Sequence, residues 1–549
     1  MRVLRSFVPL AAAFFIASPG FAQTGEPLRL PPTSPIMVIP GLAGVVSTSR
    51  QPDDVKAQAQ KLWAQGAQLN RMGKPGEAWR SLEQARALAT GQPWTAKEEY
   101  AQSLALRVDA PVGDPSRPYY VRLSQRYPAT LAIANGLKLK LALIEPTSER
   151  KVVRDLGTVE GVRLDLIEKP MGFSLDLAGV PAGRYHLVAG VSDGDAPVGQ
   201  VEAALWVVPG LDATSASVSK RLAAIKGHEG TKARIRYPFD LARVINLGAR
   251  DAAIFDYEAE IRRSLELLGA LARGRDTLEG ARGDLKKAYW FAEAGEVMPY
   301  RVYVPKKWQP GTRLPMVVYL HGAGSDENSG FEWPYERGAA KLIDGKLAAM
   351  AEQRGFIAVA PLGFRISGNW GGNEVFQNQA AANVVPGEKT RIPDPFERRV
   401  QEMAEKDTLN VTDLVAKEYG VDPKRIYLIG NSAGGGGTMY LGAKHRERWA
   451  ALAPSALPYH AQSFAPFDRY KGVPMLLTHG VNDPVAFVKN SREATALLKE
   501  KGVDVTLNEV SGVETAFAHN ASWFAALPQI FDFLEKQRRE EGEIGRAHV

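Results

Sequence analysis

The chain has 549 residues, of which 45% are hydrophobic and 23% are charged, a composition typical of a globular protein with several domains. Its net charge of +7 is spread along the chain without a long lysine or arginine block, so we expect no nucleic-acid partner. The chain has no cysteine, which excludes disulfides, cysteine nucleophiles and thiolate metal sites.

The first residues are typical of a cleavable signal peptide. Arg2 and Arg5 provide positive charge, residues 7–17 are apolar, and small residues precede a cleavage point after Ala22. The apolar run is well short of the ~20 residues that a membrane-spanning helix needs, and no later stretch reaches that length. We therefore expect residues 1–22 to be removed, no membrane span, and a periplasmic or secreted protein.

Four differently patterned segments follow the signal peptide. Residues 23–54 are rich in proline, glycine, serine and threonine and are predicted to be a linker. Residues 55–105 have the apolar offsets of one tetratricopeptide-like helix pair, but such arrays need about three repeats, so an ordinary helical hairpin is favoured. Residues 118–210 alternate apolar with other residues in short runs, which predicts a β-sandwich. The step Gly183-x-Tyr185 is similar to the strand entry of immunoglobulin-like modules, so the sandwich is expected to be immunoglobulin-like. Residues 211–292 are helical again and are interpreted as a helical connector.

Residues 295–537 alternate short apolar runs with helical segments. Such runs are typical of strands that are buried on both faces, and their alternation with helices predicts a parallel sheet covered by helices. The main apolar runs are residues 316–320, 356–360, 425–429 and 475–478.

The clearest candidate for chemistry is Ser432, in the segment Gly430-Asn431-Ser432-Ala433-Gly434. The G-x-S-x-G string is a weak signal among 52 glycines, but here a predicted strand precedes it and a glycine-rich helix follows it. That context is typical of the nucleophile elbow of α/β-hydrolases. The predicted fold is therefore multidomain, with a C-terminal α/β-hydrolase domain (a mostly parallel sheet flanked by helices) preceded by a β-sandwich and helical segments.

A serine nucleophile needs a base, and the base needs a carboxylate to orient it. In α/β-hydrolases these residues follow the serine in the order acid, then histidine, each after a strand. Asp483 follows the strand at residues 475–478 and is predicted to be the acid, whereas His519 follows the next strand and is predicted to be the base. His479 ends a strand and is interpreted as structural. Less well placed candidates are His445, His460, Glu509 and Glu514.

A tetrahedral intermediate also needs positioned backbone donors for its negative oxygen. The segment Leu320-His321-Gly322-Ala323-Gly324 ends the first buried strand, where glycines let amides point inward. The N–H groups of Ala323 and Ala433 are therefore predicted to form the oxyanion hole, and His321 is interpreted as a brace for the loop.

Residues 363–397 are longer than a plain connection and are predicted to border the site. Trp370, within this stretch, and Trp523, close to His519, are candidate substrate-binding walls. Core packing is the more frequent role for either tryptophan taken alone.

Together these motifs resemble the secreted esterase branch of the α/β-hydrolases, the feruloyl-esterase-like and polyhydroxyalkanoate-depolymerase-like carboxylesterases. The resemblance covers about residues 300–533, and some members of that branch carry an immunoglobulin-like domain ahead of the hydrolase. It implies hydrolysis of small-molecule or polymeric esters through an acyl-serine intermediate, with no metal and no organic cofactor. Three alternatives stay open: a serine peptidase related to the prolyl oligopeptidases, a polyester depolymerase, and a carbohydrate- or partner-binding protein that uses the hydrolase as a scaffold.

The last seven residues, 543–549, look like a translated sequencing adapter. They are treated as an artefact, and His548 is excluded from the functional candidates.

Overall fold

A computed structural model of the chain describes residues 35, 38–39, 42, 45–46, 48–129, 136–163, 166–167, 169–250, 255–332, 345–365, 370–372, 395–513 and 518–539. The predicted signal peptide, residues 1–22, and the suspected artefact at residues 543–549 lie outside these ranges. None of the helices within them is both long and apolar enough to cross a membrane.

The first described elements are two helices that pack against each other. A turn with Gly73 at φ 74° separates them, and their contact face is made of small and apolar side chains that include Ala59, Leu82 and Ala85. A third short helix begins after Thr95, whose hydroxyl accepts a hydrogen bond from the amide of Glu98. The bounds are α1 Asp53–Arg71, α2 Pro75–Thr90 and α3 Ala96–Ser103.

Two small sheets follow and share one buried apolar core. The described residues form a three-stranded antiparallel sheet in the order β1-β3-β6 and a five-stranded sheet in the order β2-β8-β7-β4-β5. Leu106 and Leu123 reach the common core from the first sheet, and Leu141 and Leu187 reach it from the second. The strands are β1 Leu104–Val108, β2 Val112–Gly113, β3 Tyr119–Gln125, β4 Leu137–Ile144, β5 Val152–Val162, β6 Met171–Leu175, β7 Gly183–Asp193 and β8 Ala196–Val207.

Three helices then lead to the C-terminal sheet. The second of them packs directly on that sheet, where Ala233 meets Ala288 and Val297. Asp240 on the same helix accepts a 2.7 Å hydrogen bond from the amide of Val297. These helices are therefore part of the support of the sheet. Their bounds are α4 Leu211–Ala223, α5 Glu229–Asn246 and α6 Tyr257–Ala272.

The described C-terminal residues form a mixed eight-stranded sheet in the order β16-β15-β14-β13-β11-β12-β10-β9. Strands β9 and β10 pair antiparallel, β10 pairs antiparallel with β12, and the remaining pairs are parallel. The sheet begins at Gly283, ahead of the predicted domain boundary at residue 295. The strands are β9 Gly283–Phe291, β10 Glu296–Val304, β11 Met316–Leu320, β12 Ile357–Pro361, β13 Ile426–Asn431, β14 Ala451–Ser455, β15 Met475–Gly480 and β16 Val505–Val510.

Helices cover both faces of this sheet, and fully buried apolar residues line each face. The inner strands β11, β12, β14 and β15 are buried throughout, because helices cover both of their faces. A mixed sheet with flanking helices is consistent with an α/β-hydrolase-like C-terminal domain. The helices are α7 Lys346–Arg354, α8 Pro395–Tyr419, α9 Ala433–Lys444, α10 Val488–Glu500, α11 Ala518–Ala525 and α12 Leu527–Leu534.

The carboxyl ends of the parallel strands meet at one edge of the sheet. Strand β13 lies between β11 and β14, and its register pairs Gly430 with Leu320 and Asn431 with Ser455. The segments that leave β11 and β13 therefore emerge side by side, and the segment that leaves β15 emerges at the same edge beyond β14. This edge is where open α/β sheets bind ligands.

Candidate active site

Ser432 occupies a sharp turn between β13 and α9. Its backbone has φ 57° and ψ −122°, a conformation that side-chain-bearing residues rarely adopt. Two hydrogen bonds hold the turn, from the amide of Ser432 to the carbonyl of Ser455 at 3.0 Å and from the amide of Gly436 to the carbonyl of Ser432 at 3.0 Å. The side chain is half-buried, so its hydroxyl is lifted off the sheet edge.

The glycines around Ser432 allow three backbone segments to touch. A Cβ atom on Gly434 would lie 1.9 Å from the carbonyl oxygen of Leu320, and one on Gly435 would lie 2.2 Å from that of Ser455. Neither backbone can move away cheaply, because both belong to neighbouring strands. Glycine at these positions therefore lets α9 begin directly against β11 and β14.

Asp483 and His519 form a hydrogen-bonded pair at the same sheet edge. The Nδ1 atom of His519 lies 2.7 Å from Oδ2 of Asp483. The other carboxylate oxygen, Oδ1, accepts hydrogen bonds from the amides of Val485 at 2.8 Å and Ala486 at 3.0 Å. Burial by itself would raise the pKa of Asp483, but hydrogen bonds with His479 and His519 hold it well below its usual value. Asp483 is therefore ionised and can orient a histidine.

His479 is completely buried beneath the loop that carries Asp483. Its Nε2 atom lies 2.8 Å from the carbonyl of Ala486 and donates to it, and its Nδ1 atom lies 2.7 Å from Oγ of Ser491. The distance from Nε2 to Oδ2 of Asp483 is 3.5 Å. Both ring nitrogens are engaged inside the protein, an arrangement that fixes the loop and leaves no nitrogen for a substrate.

A pair of asparagines links the serine turn to the histidine segment. The side-chain amide of Asn431 donates to Oδ1 of Asn520 at 2.9 Å. These residues are the direct neighbours of Ser432 and His519 in the chain. Within the part of the chain that the structure describes, no hydrogen bond joins the Ser432 hydroxyl to His519. The sequence analysis missed this pair, although each asparagine adjoins a predicted catalytic residue.

A small pocket opens beside Ser432. The predicted oxyanion donors Ala323 and Ala433 both line it, as do residues of the segment after β12. His321 joins the two loops, because Nε2 lies 2.8 Å from the carbonyl of Leu362 and Nδ1 lies 2.9 Å from that of Gly322. Burial lowers the pKa of His321, so the ring is neutral and donates from one nitrogen at a time. The lining residues are His321, Gly322, Ala323, Leu362, Gly363, Arg365, Trp370 and Ala433.

The two candidate tryptophan walls lie in different places. Trp370 lines the pocket and meets the ring of His321 edge-on at 4.8 Å between centroids. Trp523 is 1% exposed and stacks on Tyr319 at 4.6 Å, inside the core on one face of the sheet. The prediction of Trp523 as a substrate wall is therefore wrong, because its ring is covered by core side chains. Of the predicted bordering stretch at 363–397, residues 366–369 and 373–394 lie outside the described ranges.

Two further charged residues lie in the pocket region. The sequence analysis did not select either of them as a site residue. Asp407 is fully buried inside α8. It accepts hydrogen bonds from Oη of Tyr289 at 2.7 Å and from the amide of Gly363 at 2.8 Å, and burial raises its pKa to about 6. Arg365 is 8% exposed and lines the pocket. Both became visible only when residues distant in sequence came together.

The less well placed sequence candidates have other partners. Nε2 of His445 lies 2.8 Å from Oε1 of Glu405, and Glu509 forms an ion pair with Arg492 at 2.6 Å. His460 is exposed at the start of a short helix. Glu514 lies outside the described residues. His445 and Glu509 are therefore engaged by residues other than Asp483 and His519.

One cluster among the described residues has the composition of a metal site. His228, Asp276 and Glu279 bring their ligand atoms within 4.8 Å of one another. Oδ1 of Asp276 already accepts hydrogen bonds from the amides of Leu278 and Glu279 and from the hydroxyl of Thr231. The cluster also lies at the start of α5, where the helix dipole disfavours a cation. Its contacts are satisfied by the protein itself.

Comparisons with known proteins agree with an esterase site. Residues 292–530, fewer than half of the chain, match the model of a family described as "Esterase: Putative esterase". The bifunctional acetylxylan esterase/xylanase of Neocallimastix patriciarum is 25% identical over 211 residues, which make up 37% of this chain. The chain spans about a quarter of the length of that relative, since the match covers 25% of it. These matches support a carboxylic-ester hydrolase.

Solved structures with similar chains carry related descriptions. The ferulic acid esterase of Anaeromyces mucronatus, in complex with ferulic acid, is 18% identical, with a TM-score of 0.32, over 47% of this chain and 92% of that one. The S-formylglutathione hydrolase of Agrobacterium tumefaciens is 18% identical, with a TM-score of 0.32, over 46% of this chain and 95% of that one.

Proposed function

We propose that the chain is an exported serine esterase that cleaves carboxylic esters through an acyl intermediate on Ser432. The observation that carries the proposal is the pair of Asp483 and His519, joined at 2.7 Å at the same sheet edge as the strained turn of Ser432. A carboxylate that orients a histidine next to a lifted serine is the arrangement that activates a hydroxyl for acyl transfer.

In the first half of the proposed reaction, Oγ of Ser432 attacks the ester carbonyl carbon. His519 takes the hydroxyl proton on Nε2, while Nδ1 donates to the carboxylate of Asp483. The carbonyl oxygen becomes negative and receives hydrogen bonds from the amides of Ala323 and Ala433. Collapse of this intermediate breaks the ester C–O bond, and the proton on His519 passes to the departing alcohol.

In the second half, water hydrolyses the acyl-serine. His519 accepts a proton from the water, and the resulting hydroxide adds to the acyl carbon. The second tetrahedral intermediate uses the same two amides. Its collapse returns the proton to Oγ of Ser432 and releases the carboxylic acid, so each cycle consumes one water and leaves the enzyme unchanged.

The substrate class is proposed to be small or polymeric carboxylic esters. Acetyl and feruloyl esters are the first candidates, because the matched relative is described as an acetylxylan esterase/xylanase and the motifs of the chain resemble feruloyl-esterase-like enzymes. Polyester cleavage and peptide hydrolysis of the prolyl-oligopeptidase kind use the same serine chemistry. These possibilities are separated by the kcat/KM values for a panel of substrates. The panel contains p-nitrophenyl acetate, methyl ferulate, acetylated xylan, polyester film and a peptide anilide.

We further propose export to the periplasm or medium and an immunoglobulin-like β-sandwich ahead of the hydrolase. Export rests on the charge and apolar run of residues 1–22. The sandwich rests on the common core of the three-stranded and five-stranded sheets. Fractionation of expressing cells tests the first proposal, and an experimental structure of residues 104–207 in the full chain tests the second.

The decisive test of the proposed nucleophile is Ser432→Ala. We expect turnover of p-nitrophenyl acetate to fall by a factor on the order of 10⁴ to 10⁶, because no other group takes over covalent attack. Covalent labelling by a fluorophosphonate should disappear in the same variant, while its melting temperature stays near that of the wild type. Undiminished labelling of Ser432→Ala would show that another residue is the nucleophile.

A matched pair of histidine variants tests the proposed base. His519→Ala should lower kcat by roughly 10⁴-fold, whereas His479→Ala should lower stability and leave the turnover of each folded molecule within an order of magnitude of the wild type. Turnover is normalised to folded protein by circular dichroism and denaturant titration. Equal losses of normalised kcat in the two variants would contradict His519 as the base.

A further inference from the structure

Arg365 is a buried cation in the wall of the pocket that holds the predicted oxyanion donors. It follows β12, is 8% exposed, and lines the pocket together with Ala323 and Ala433. The pocket is small, with room for roughly one water-sized group. A single oxygen atom therefore fills it, and Arg365 is part of the wall around that oxygen.

Arg365 is one end of a buried chain of ion pairs. Its Nη2 atom donates to Oε1 of Glu296, and the other oxygen of Glu296 lies 3.4 Å from Nε of Arg250. Glu296 is 0% exposed. Among the described residues, Nε of Arg365 is buried without a hydrogen-bond partner. The guanidinium group is thus held by Glu296 and, through Nη1, by the carbonyl of Phe364 at 3.0 Å.

Three acidic groups of this region are paired, hydrogen-bonded or protonated. Asp240 is paired with Arg243 at 2.6 Å, and Asp407 is engaged by Tyr289 and the amide of Gly363. Burial raises the pKa of Glu327 to about 8, so most of it is protonated at neutral pH. None of these three residues lines the pocket, whereas Arg365 does.

Of the three charged residues in this chain of ion pairs, Arg365 is the one that lines the pocket. Burial lowers the pKa of Arg365 to about 10, which leaves it charged under all ordinary assay conditions. Coulomb energy varies as the inverse of distance and is strengthened where water is excluded, so the nearest charge dominates. A neutral carbonyl oxygen gains much less from this charge than the negative oxygen of the intermediate.

We propose that Arg365 stabilises the tetrahedral oxyanion together with the amides of Ala323 and Ala433, and that Glu296 holds Arg365 in place for this purpose. This inference rests on the proposed ester hydrolysis at Ser432. It adds a side-chain cation to an oxyanion hole that sequence motifs describe only by backbone donors. It also gives Arg250, which precedes the catalytic sheet in the chain, an indirect part in positioning that cation.

The experiment compares three variants, Arg365→Gln, Arg365→Lys and Glu296→Gln. Each is assayed for hydrolysis of p-nitrophenyl acetate and for the inhibition constant of phenylboronic acid. Boron accepts Oγ of Ser432 and becomes a tetrahedral anion, with the hydroxyl proton passing to His519, so the inhibitor reports on stabilisation of negative charge. An inhibition constant does not depend on the fraction of molecules that are folded.

We expect Arg365→Gln to lower kcat and boronate affinity in parallel, by roughly 10- to 100-fold, with a smaller change in KM. Arg365→Lys should restore a large part of both losses. Glu296→Gln keeps the cation but removes the ion pair that positions it, so it should lose boronate affinity too, by a smaller factor than Arg365→Gln. A role limited to holding the ion pair predicts equal losses for Arg365→Gln and Glu296→Gln, and that result would overturn the inference.

In Arg365→Gln the buried carboxylate of Glu296 loses the guanidinium group that donates to it, and this loss is a second perturbation of the site. The double variant Arg365→Gln/Glu296→Gln controls for it. It removes both charges, and we expect it to lose boronate affinity as Arg365→Gln does; full affinity in this variant would refute the role of Arg365. Boronate binding is also read from the rise in melting temperature, which needs no turnover. A wild-type protein that binds boronate and hydrolyses no ester would refute the proposed function while still testing Arg365.

Discussion

At the scale of the residue, the arrangement around Asp483 shows how one carboxylate is kept ionised inside a protein. Its two oxygens accept from two backbone amides and from His519, and His479 lies beneath it. Hydrogen bonds to the charged form outweigh the cost of burial and lower the pKa of Asp483. The same contacts therefore serve stability and the orientation of His519.

Because the pKa of Asp483 is lower in the folded chain than in the unfolded chain, its ionised form stabilises the fold. This contribution is fully present above the unfolded pKa of about 4 and is lost as pH falls towards the folded pKa. We expect Asp483→Asn to lower the free energy of unfolding by on the order of 2 kcal/mol at pH 7. The difference from the wild type should narrow below about pH 4.

Denaturant titrations of both proteins at pH 7, 4 and 3.5 measure this difference. Asp195→Asn, at an exposed turn, is the control and should show no such change with pH. A gap between wild type and Asp483→Asn that is the same at all three pH values would contradict the role of the ionised carboxylate in stability.

At the scale of the element, the turn at Ser432 depends on how closely α9 approaches its neighbouring strands. The sequence indicated small residues after the serine, but it did not show which atoms they approach. The carbonyl oxygens of Leu320 and Ser455 occupy the space that side chains on Gly434 and Gly435 would need. Both oxygens belong to strand ends that carry predicted site loops.

Gly434→Ala should therefore destabilise the protein and lower its activity. The new Cβ would lie 1.9 Å from the carbonyl of Leu320, so the loop that carries Ala323 has to shift. We expect a loss of about 1–3 kcal/mol in the free energy of unfolding, as for other overpacked cores, together with a lower kcat for p-nitrophenyl acetate.

Gly269→Ala is the matched control, because Gly269 lies inside α6 with only an ordinary 3.6 Å contact to Arg273. The same substitution there should stabilise by about 0.5–1 kcal/mol through helix propensity and leave kcat unchanged. If Gly434→Ala also stabilised the protein at unchanged kcat, the close approach of α9 to β11 would have no functional consequence.

At the scale of the whole molecule, the helices before the catalytic sheet are attached to it by polar contacts as well as apolar ones. Asp240 accepts from the amide of Val297, and Arg243 donates to the carbonyl of Gly295 at 2.6 Å. Arg250 lies beside Glu296. The sequence analysis interpreted this stretch as a connector. Its contacts with the sheet join residues about 50 positions apart in the chain, and a local sequence pattern does not show such contacts.

A shortened chain that begins at residue 283 should fail to give soluble, folded protein. It lacks α5, whose loss uncovers Ala288 and Val297 and leaves Glu296 without Arg250. A chain that begins at residue 92 lacks residues 1–91, which include α1 and α2. The apolar contacts of these two helices form a cluster of their own, so this chain should keep its esterase activity. Soluble yield, melting temperature and turnover of p-nitrophenyl acetate measure the outcome. A folded and fully active chain from residue 283 would contradict this prediction.

The sequence by itself predicted the strands at residues 316–320, 356–360, 425–429 and 475–478 and the position of the serine turn. Both are local properties, since a buried strand needs an apolar run and a sharp strand-to-helix turn needs glycines around a small residue. The choice of Asp483 and His519 also came from chain order, and the 2.7 Å contact between them agrees with it.

Only the tertiary structure decided which side chains reach the pocket. It placed Trp523 in the core and Trp370 in the pocket wall, and it brought Arg365 and Glu296 together from positions 69 residues apart. Neither local propensity nor periodicity carries such information, because burial and electrostatic environment depend on contacts between residues distant in the chain. A tryptophan or an arginine acquires its role from what the fold places against it.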